Sequence, residues 1–330
     1  MFDPNKLDSK SAVKMSKSTS TARPLPASSR ESTPTSTPAF VATARALCVP
    51  MRAPSFASNV FRLAARELRD AARSKWFLLY TAAFVALGLG VSYVSAASSG
   101  GTGLSGFGRT TAGLINLVIL VVPLMALSAG AGSIASDRER GMLAYMLAQP
   151  ITRLELLLGK FTGLATVLLT SICLGFGVCA GILAWKGLRA DPVALASLVG
   201  LTFLLAMAML GTGLLISVIT RKSSVAMGVA IFAWLTLVFV SDLGLMAGAV
   251  ALRMRIENLF ALSLLNPMQV FKMWALVSAD TSLDVLGPAG LYATDTWGGG
   301  VDWIFAAALS LWIVLPLSVA AFLFSRRSPI

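Results

Sequence analysis

Six apolar stretches are each long enough to cross about 30 Å of hydrocarbon as a helix rising 1.5 Å per residue. They run over residues 76–97, 114–135, 161–185, 193–220, 224–251 and 303–324. No other feature narrows the fold as far. Inside a bilayer a chain must satisfy its own backbone hydrogen bonds, and a single segment of this length does so as an α-helix. Composition agrees: 13% of residues are charged, where a soluble domain carries about 25%.

Orientation follows from the segments between spans, because Lys and Arg are retained on the inner side of the membrane. With the N-terminus inside, the inner segments hold thirteen Lys and Arg residues and the outer ones six. Both termini are therefore expected to be cytoplasmic. The formal charge of +12 comes with no separate folded basic domain, so the expected acidic partner is the lipid surface and not nucleic acid.

The absence of histidine removes Ser-His-Asp hydrolysis, HExxH zinc chemistry and His-based proton relays. Cys48, Cys173 and Cys179 show no CxxC spacing and define neither a disulfide framework nor a zinc site. Asp242 is the one acid inside an expected span. Lying about 27 Å along its helix from Ser224, it stands near the outer headgroups, and a lone carboxylate is no catalytic site. Met254, Met268 and Met273 offer thioethers of the kind that bind Cu(I), but methionines in such helices more often pack. The chain is therefore read as non-catalytic, with no metal or cofactor of its own.

Residues 1–58 are rich in Ser, Thr, Pro and basic groups and lack an apolar run. Such a segment cannot bury enough surface to order itself, so it is expected to be a disordered leader ahead of a membrane domain over 59–330. Its composition also resembles a transit peptide, and Met51 offers an alternative start. Residues 60–76 read VFRLAARELRDAARSKW. At about 100° per residue, Phe61, Ala64, Ala65, Leu68 and Ala72 form one face and Arg62, Arg66, Arg69 and Arg73 a cationic stripe on another. This predicts an interfacial helix lying on anionic headgroups.

Two loops carry more than a connection requires. The outer one, 253–302, contains an apolar segment expected to lie at the outer interface as a helix interrupted at Pro267. The inner one, 136–160, reads SDRERGMLAYMLAQPITRLELLLGK. Its charged run Asp137, Arg138, Glu139 and Arg140 leads through Gly141 into a ridge of Met142, Leu143, Met146 and Leu147, and a second amphipathic stretch starts at Arg153. A short helix with charged flanks and an apolar ridge suits docking into a groove on a soluble partner. Within the spans, Gly88, Gly90, Gly130, Gly132, Gly175, Gly177, Gly181, Gly211 and Gly213 supply the small surfaces by which helices associate in lipid.

The inner loop resembles the signature loop of ABC-2 type transporter permeases, an acidic-Arg-Gly-x-Leu segment followed by Leu-x-x-Pro-x-x-Arg. Glu139, Gly141, Leu143, Leu147, Pro150 and Arg153 occupy the matching positions, while Met142 stands where a Thr is common. The stretch ARELRDAARSKW, 65–76, is similar to that family's N-terminal elbow helix. A narrower likeness lies in LLNPMQVFKMWAL (264–276) and LDVLGPAGLYATDTWG (283–298), which resemble the outer loop of the NosY subfamily. Those are the membrane subunits of NosDFY transporters, which serve copper-site maturation of nitrous oxide reductase.

The resemblance implies an all-α membrane protein of the bacterial inner membrane. It would have six transmembrane helices, an interfacial elbow helix and an extended periplasmic segment before the last span. It also implies a homodimer working with a separate NosF-like cytoplasmic ATPase that holds ATP and Mg, since this chain has no GxxxxGK[ST] loop. Asp137, Arg138, Glu139, Arg140, Gly141, Leu143, Leu147, Pro150 and Arg153 would then couple to the ATPase. Asn266, Pro267, Phe271, Trp274, Pro288, Tyr292 and Trp297 would dock a NosD-like periplasmic solenoid. An ABC-2 exporter of drug, lipid or polysaccharide is the alternative.

Overall fold

Each apolar stretch lies on a helix, of the same length as the stretch or longer. A computed structural model describes residues 56–73, 75–98, 103–148, 151–185, 192–250, 255–278 and 300–326, with no strand among the described residues. Helix α1 (Phe56–Ala72) precedes α2 (Lys75–Ser98) and α3 (Gly103–Glu139), and the short α4 (Met142–Leu147) leads into α5 (Arg153–Trp185). Then come α6 (Pro192–Ile219), α7 (Ser223–Val250), α8 (Ile256–Leu264), α9 (Pro267–Ser278) and α10 (Val301–Arg326). Five of them, α3, α5, α6, α7 and α10, are long and apolar enough to cross a membrane. The 24 residues of α2 cover the first expected span.

Local signals set the helix ends around the inner loop. Gly141 follows α3 with φ +71°, the left-handed conformation that ends many helices and that glycine adopts without cost. Thr152 and Glu155 then open α5 as a reciprocal cap. The Glu155 N–H donates to Thr152 Oγ1 at 3.2 Å and the Thr152 N–H to Glu155 Oε2 at 2.7 Å, satisfying two donors that every helix start leaves unpaired.

Helix α6 is the centre of the bundle, packed against α3, α5, α7, α9 and α10. Its close seam with α3 depends on two glycines. A methyl group at Gly130 would lie 2.8 Å from the Leu210 carbonyl oxygen, and one at Gly213 would lie 2.6 Å from that of Leu127, so the two backbones touch. Between α2 and α5, Gly88 and Gly175 instead make room for the side chains of Cys179 and Phe84, whereas Gly90, Gly177 and Gly181 face open space. Cys173 is exposed and Cys179 buried, on different sides of α5.

Helix α1 packs on the bundle by a face other than the apolar one that its periodicity directs to the lipid interface. Phe61 is 75% exposed, and Arg62, Arg66, Arg69 and Arg73 are exposed as well. The helix instead rests on α5 through Asn59, Leu63 and Glu67, spaced four apart. The reason lies on the partner, where Gly159 and Gly163 open a notch that Leu63, Ala64 and Glu67 enter. Close backbone approach thus decides the face, over the count of apolar side chains on α1.

The outer segment is interrupted at Pro267, as its sequence predicts. Helices α8 and α9 form a hairpin bent by 110°, with α9 packed against α6 and α10 of the bundle. Asn266 builds the corner as the cap of α9, its Oδ1 accepting the Met268 N–H at 3.0 Å while its Nδ2 donates to the Leu237 carbonyl of α7 at 2.7 Å. Pro267 begins α9, the first helical position, where the missing N–H costs nothing.

Candidate functional site

The charged side chains of 137–153 converge on helix ends. Arg138 donates from Nη1 to the carbonyl of Thr220, just beyond α6, at 2.7 Å. Glu139 accepts the N–H of Ser223, the first residue of α7, at 3.1 Å. Arg153 donates from Nη1 to the carbonyls of Phe324 and Ser325 in the last turn of α10, both at 3.1 Å. In each case the charge matches the helix end it meets: cations at carbonyl-rich C-termini and a carboxylate at an N-terminus.

Asp137 turns the other way, to Lys160 of α5. The Lys160 side chain is 2% exposed, with Nζ 2.7 Å from Asp137 Oδ2 and 2.6 Å from Glu67 Oε1 of α1. The Asp137 contact is an ion pair outside hydrogen-bond alignment, whereas Glu67 accepts a direct hydrogen bond. Removing one partner from a buried pair of this kind typically costs about 3–5 kcal/mol. Nearby, Asn59 donates to Glu155 Oε1 at 3.4 Å, a second tie between α1 and the start of α5.

The expected apolar ridge is divided by the fold. Leu143 and Met146 are 2% and 4% exposed and point into the bundle. Arg140, Gly141 and Met142 are exposed, and so is Tyr145 at 66%. The side chain of Leu147 and all of Pro150 lie outside the described residues. Among the described residues, the exposed side chains of α4 and its approach include Glu139, Arg140, Met142 and Tyr145, and the last of these has no counterpart in the quoted motif. Glu67 and Lys160 were not singled out from the sequence, because they lie 93 residues apart.

The outer candidates fall into two groups. Asn266, Pro267 and Phe271 are buried, and Trp274 is half-buried with its ring 6.3 Å from that of Phe305. These side chains brace the hairpin and present little surface of their own. Pro288, Tyr292 and Trp297 lie outside the described residues, as do Met254 and the side chain of Asp242. Met268 and Met273 are buried, and no cluster of three or more Cys, Asp or Glu suited to a metal ion occurs among the described residues. Beneath the hairpin a cavity of about 190 Å³ is bordered by Asn116, Met268, Gln269 and Lys272.

Comparison with known proteins places this arrangement. Residues 61–328 match the family described as ABC-2 family transporter protein. The chain belongs to the ABC-2 transporter family. The permease is similar to a probable ABC transporter permease protein NosY of Stutzerimonas stutzeri, 31% identical over 280 residues, spanning 82% of this chain and 99% of that one. Its likeness to the protein of the same description from Pseudomonas aeruginosa is 30% over 274 residues, 81% and 98% of the two chains. It is thus a multi-pass ABC-2 permease subunit, NosY-like by homology, and the match begins within α1.

Proposed function

We propose that this permease couples ATP hydrolysis by a separate cytoplasmic ATPase to work across the bacterial inner membrane, with α4 as the contact element and both termini inside. The observation that carries this reading is the set of ties radiating from the α3–α4–α5 segment. Its charged residues reach the ends of α6, α7 and α10 and the flank of α1, while Arg140, Met142 and Tyr145 stay exposed. A push on α4 is in that way shared among several spans, which is what rigid-body rearrangement of a bundle needs.

Similarity to NosY proteins supports a role in nitrous oxide reductase maturation, with a homodimer, a NosF-like ATPase and a NosD-like periplasmic solenoid as partners. Purification in mild detergent with identification of the attached chains tests this. An ATPase together with a periplasmic solenoid supports it, and an ATPase alone leaves the broader exporter reading. For the contact itself, Tyr145→Asp and Met142→Glu should reduce ATPase co-purification without changing insertion. Undiminished recruitment by both variants would remove α4 from the interface.

A further inference from the structure

We infer that Lys160 is the positioning residue that passes displacement of the inner loop to the N-terminal helix α1, a step that rests on the coupling role of α4 proposed above. The geometry is that of a two-armed linker. The ammonium sits inside the protein between carboxylates from two different elements, Asp137 at the end of α3 and Glu67 in the middle of α1, and is itself rooted in α5. The ammonium also donates to the Ser133 carbonyl of α3 at 3.5 Å, so negative groups of α1 and α3 face it from both sides.

Little else joins α1 to α3. Helix α3 meets α5 only over a short stretch, while α1 is held mainly by α5 through the Gly159 and Gly163 notch. Apolar packing of that kind constrains separation but has no preferred partner along the slide. An ion pair in a water-poor setting does, because opening it leaves a charge without solvent or counter-charge. When Asp137 moves with α3, the cheaper response is for Lys160 to follow and to draw Glu67 with it. The moving loop and the exposed Arg62, Arg66 and Arg69 surface of α1 thereby become one mechanical unit, and α1 carries the motion to the membrane face.

Hydrogen–deuterium exchange on the permease assembled with its ATPase in lipid nanodiscs tests this, comparing nucleotide-free and ATP–vanadate-trapped states. In the wild type, trapping should change exchange in both 142–147 and 56–72. Glu67→Ala cuts only the α1 arm and leaves Lys160 paired with Asp137, so the response of 142–147 should persist and that of 56–72 should be lost. Lys160→Met should give the same separation, and either variant suffices if the other fails to insert.

A purely structural role predicts something else: raised exchange of 56–72 in both states with its nucleotide response intact. That result overturns the inference, as does a wild-type response confined to 142–147. If 142–147 itself is indifferent to nucleotide in the wild type, the coupling reading fails first and the linkage falls with it.

Discussion

The hydroxyl oxygen of Ser217 on α6 lies 2.8 Å from the backbone nitrogen of Ala135 on α3, and it also accepts the N–H of Ile134 at 3.0 Å. One fully buried side chain of α6 thus serves two consecutive donors of α3, directly before that helix runs out into Asp137. Inserted side chains of this kind are a recognised source of helix bending. Together with the Gly130 and Gly213 contact, it fixes the register of the most closely packed helix pair.

Ser217→Ala should therefore destabilise the permease by about 1–3 kcal/mol, the usual cost of depriving buried polar groups of a partner. A lower unfolding midpoint in detergent, at unchanged membrane insertion, is the expected result. An unaltered midpoint would mean that the α3 donors find carbonyls of their own helix.

At Gly141 the constraint is backbone conformation and not bulk, since a Cβ there meets nothing within 4 Å while φ is +71°. Gly141→Ala should then be costly even though it adds almost no volume, by about 1–2 kcal/mol for an L-residue held left-handed. Gly141→Asn should be better tolerated than Ala. Nucleotide-stimulated ATPase activity of the assembled transporter would show that order, and a ranking by side-chain size would contradict it.

Arg153→Met removes the donor shared by Phe324 and Ser325 and should free the last turn of α10. The site is only partly buried, so the loss of stability should be small, about 1–2 kcal/mol. The informative measurement is the ratio of transport-coupled to basal ATP hydrolysis, which should fall while the ATPase still co-purifies. Loss of co-purification would instead assign Arg153 to the contact with the ATPase.

On the outer side, Trp274→Ala opens space beside Phe305 and should lower stability by about 2–4 kcal/mol, within the range for large-to-small changes at packed positions. Met268→Leu and Met273→Leu conserve volume and should cost less than about 1.5 kcal/mol. After Met273→Leu the Ser263 hydroxyl still has the Phe260 carbonyl, at 2.6 Å. Thermal unfolding separates the three. Loss of function without loss of stability in the methionine variants would point to thioether chemistry at the hairpin.

Orientation can be read by cysteine labelling of intact cells in a cysteine-free background. Trp185→Cys, at the far end of α5 from Arg153 and 89% exposed in the wild type, should react with a membrane-impermeant reagent. Lys222→Cys, between α6 and α7, should react only after permeabilisation. The opposite pattern would invert the topology and place the α3–α5 loop outside.

The spans, the elbow helix and the motif loop were legible from the sequence because each rests on a local property. Hydrocarbon length is set by consecutive residues, and the loop by its charged run and turn residues. What the sequence could not give is which face of each helix meets another. In a lipid-facing bundle the buried and exposed faces are both apolar, so periodicity that marks the core of a soluble helix is absent. Exposed Phe232 and Phe239 of α7 are as apolar as enclosed Leu210 and Leu214 of α6. Tertiary packing made that choice through close backbone approach at Gly130, Gly159, Gly163 and Gly213. It also brought Glu67, Asp137 and Lys160 together from distant parts of the chain, because a charge excluded from water has to be met by whichever opposite charges the fold can bring to it.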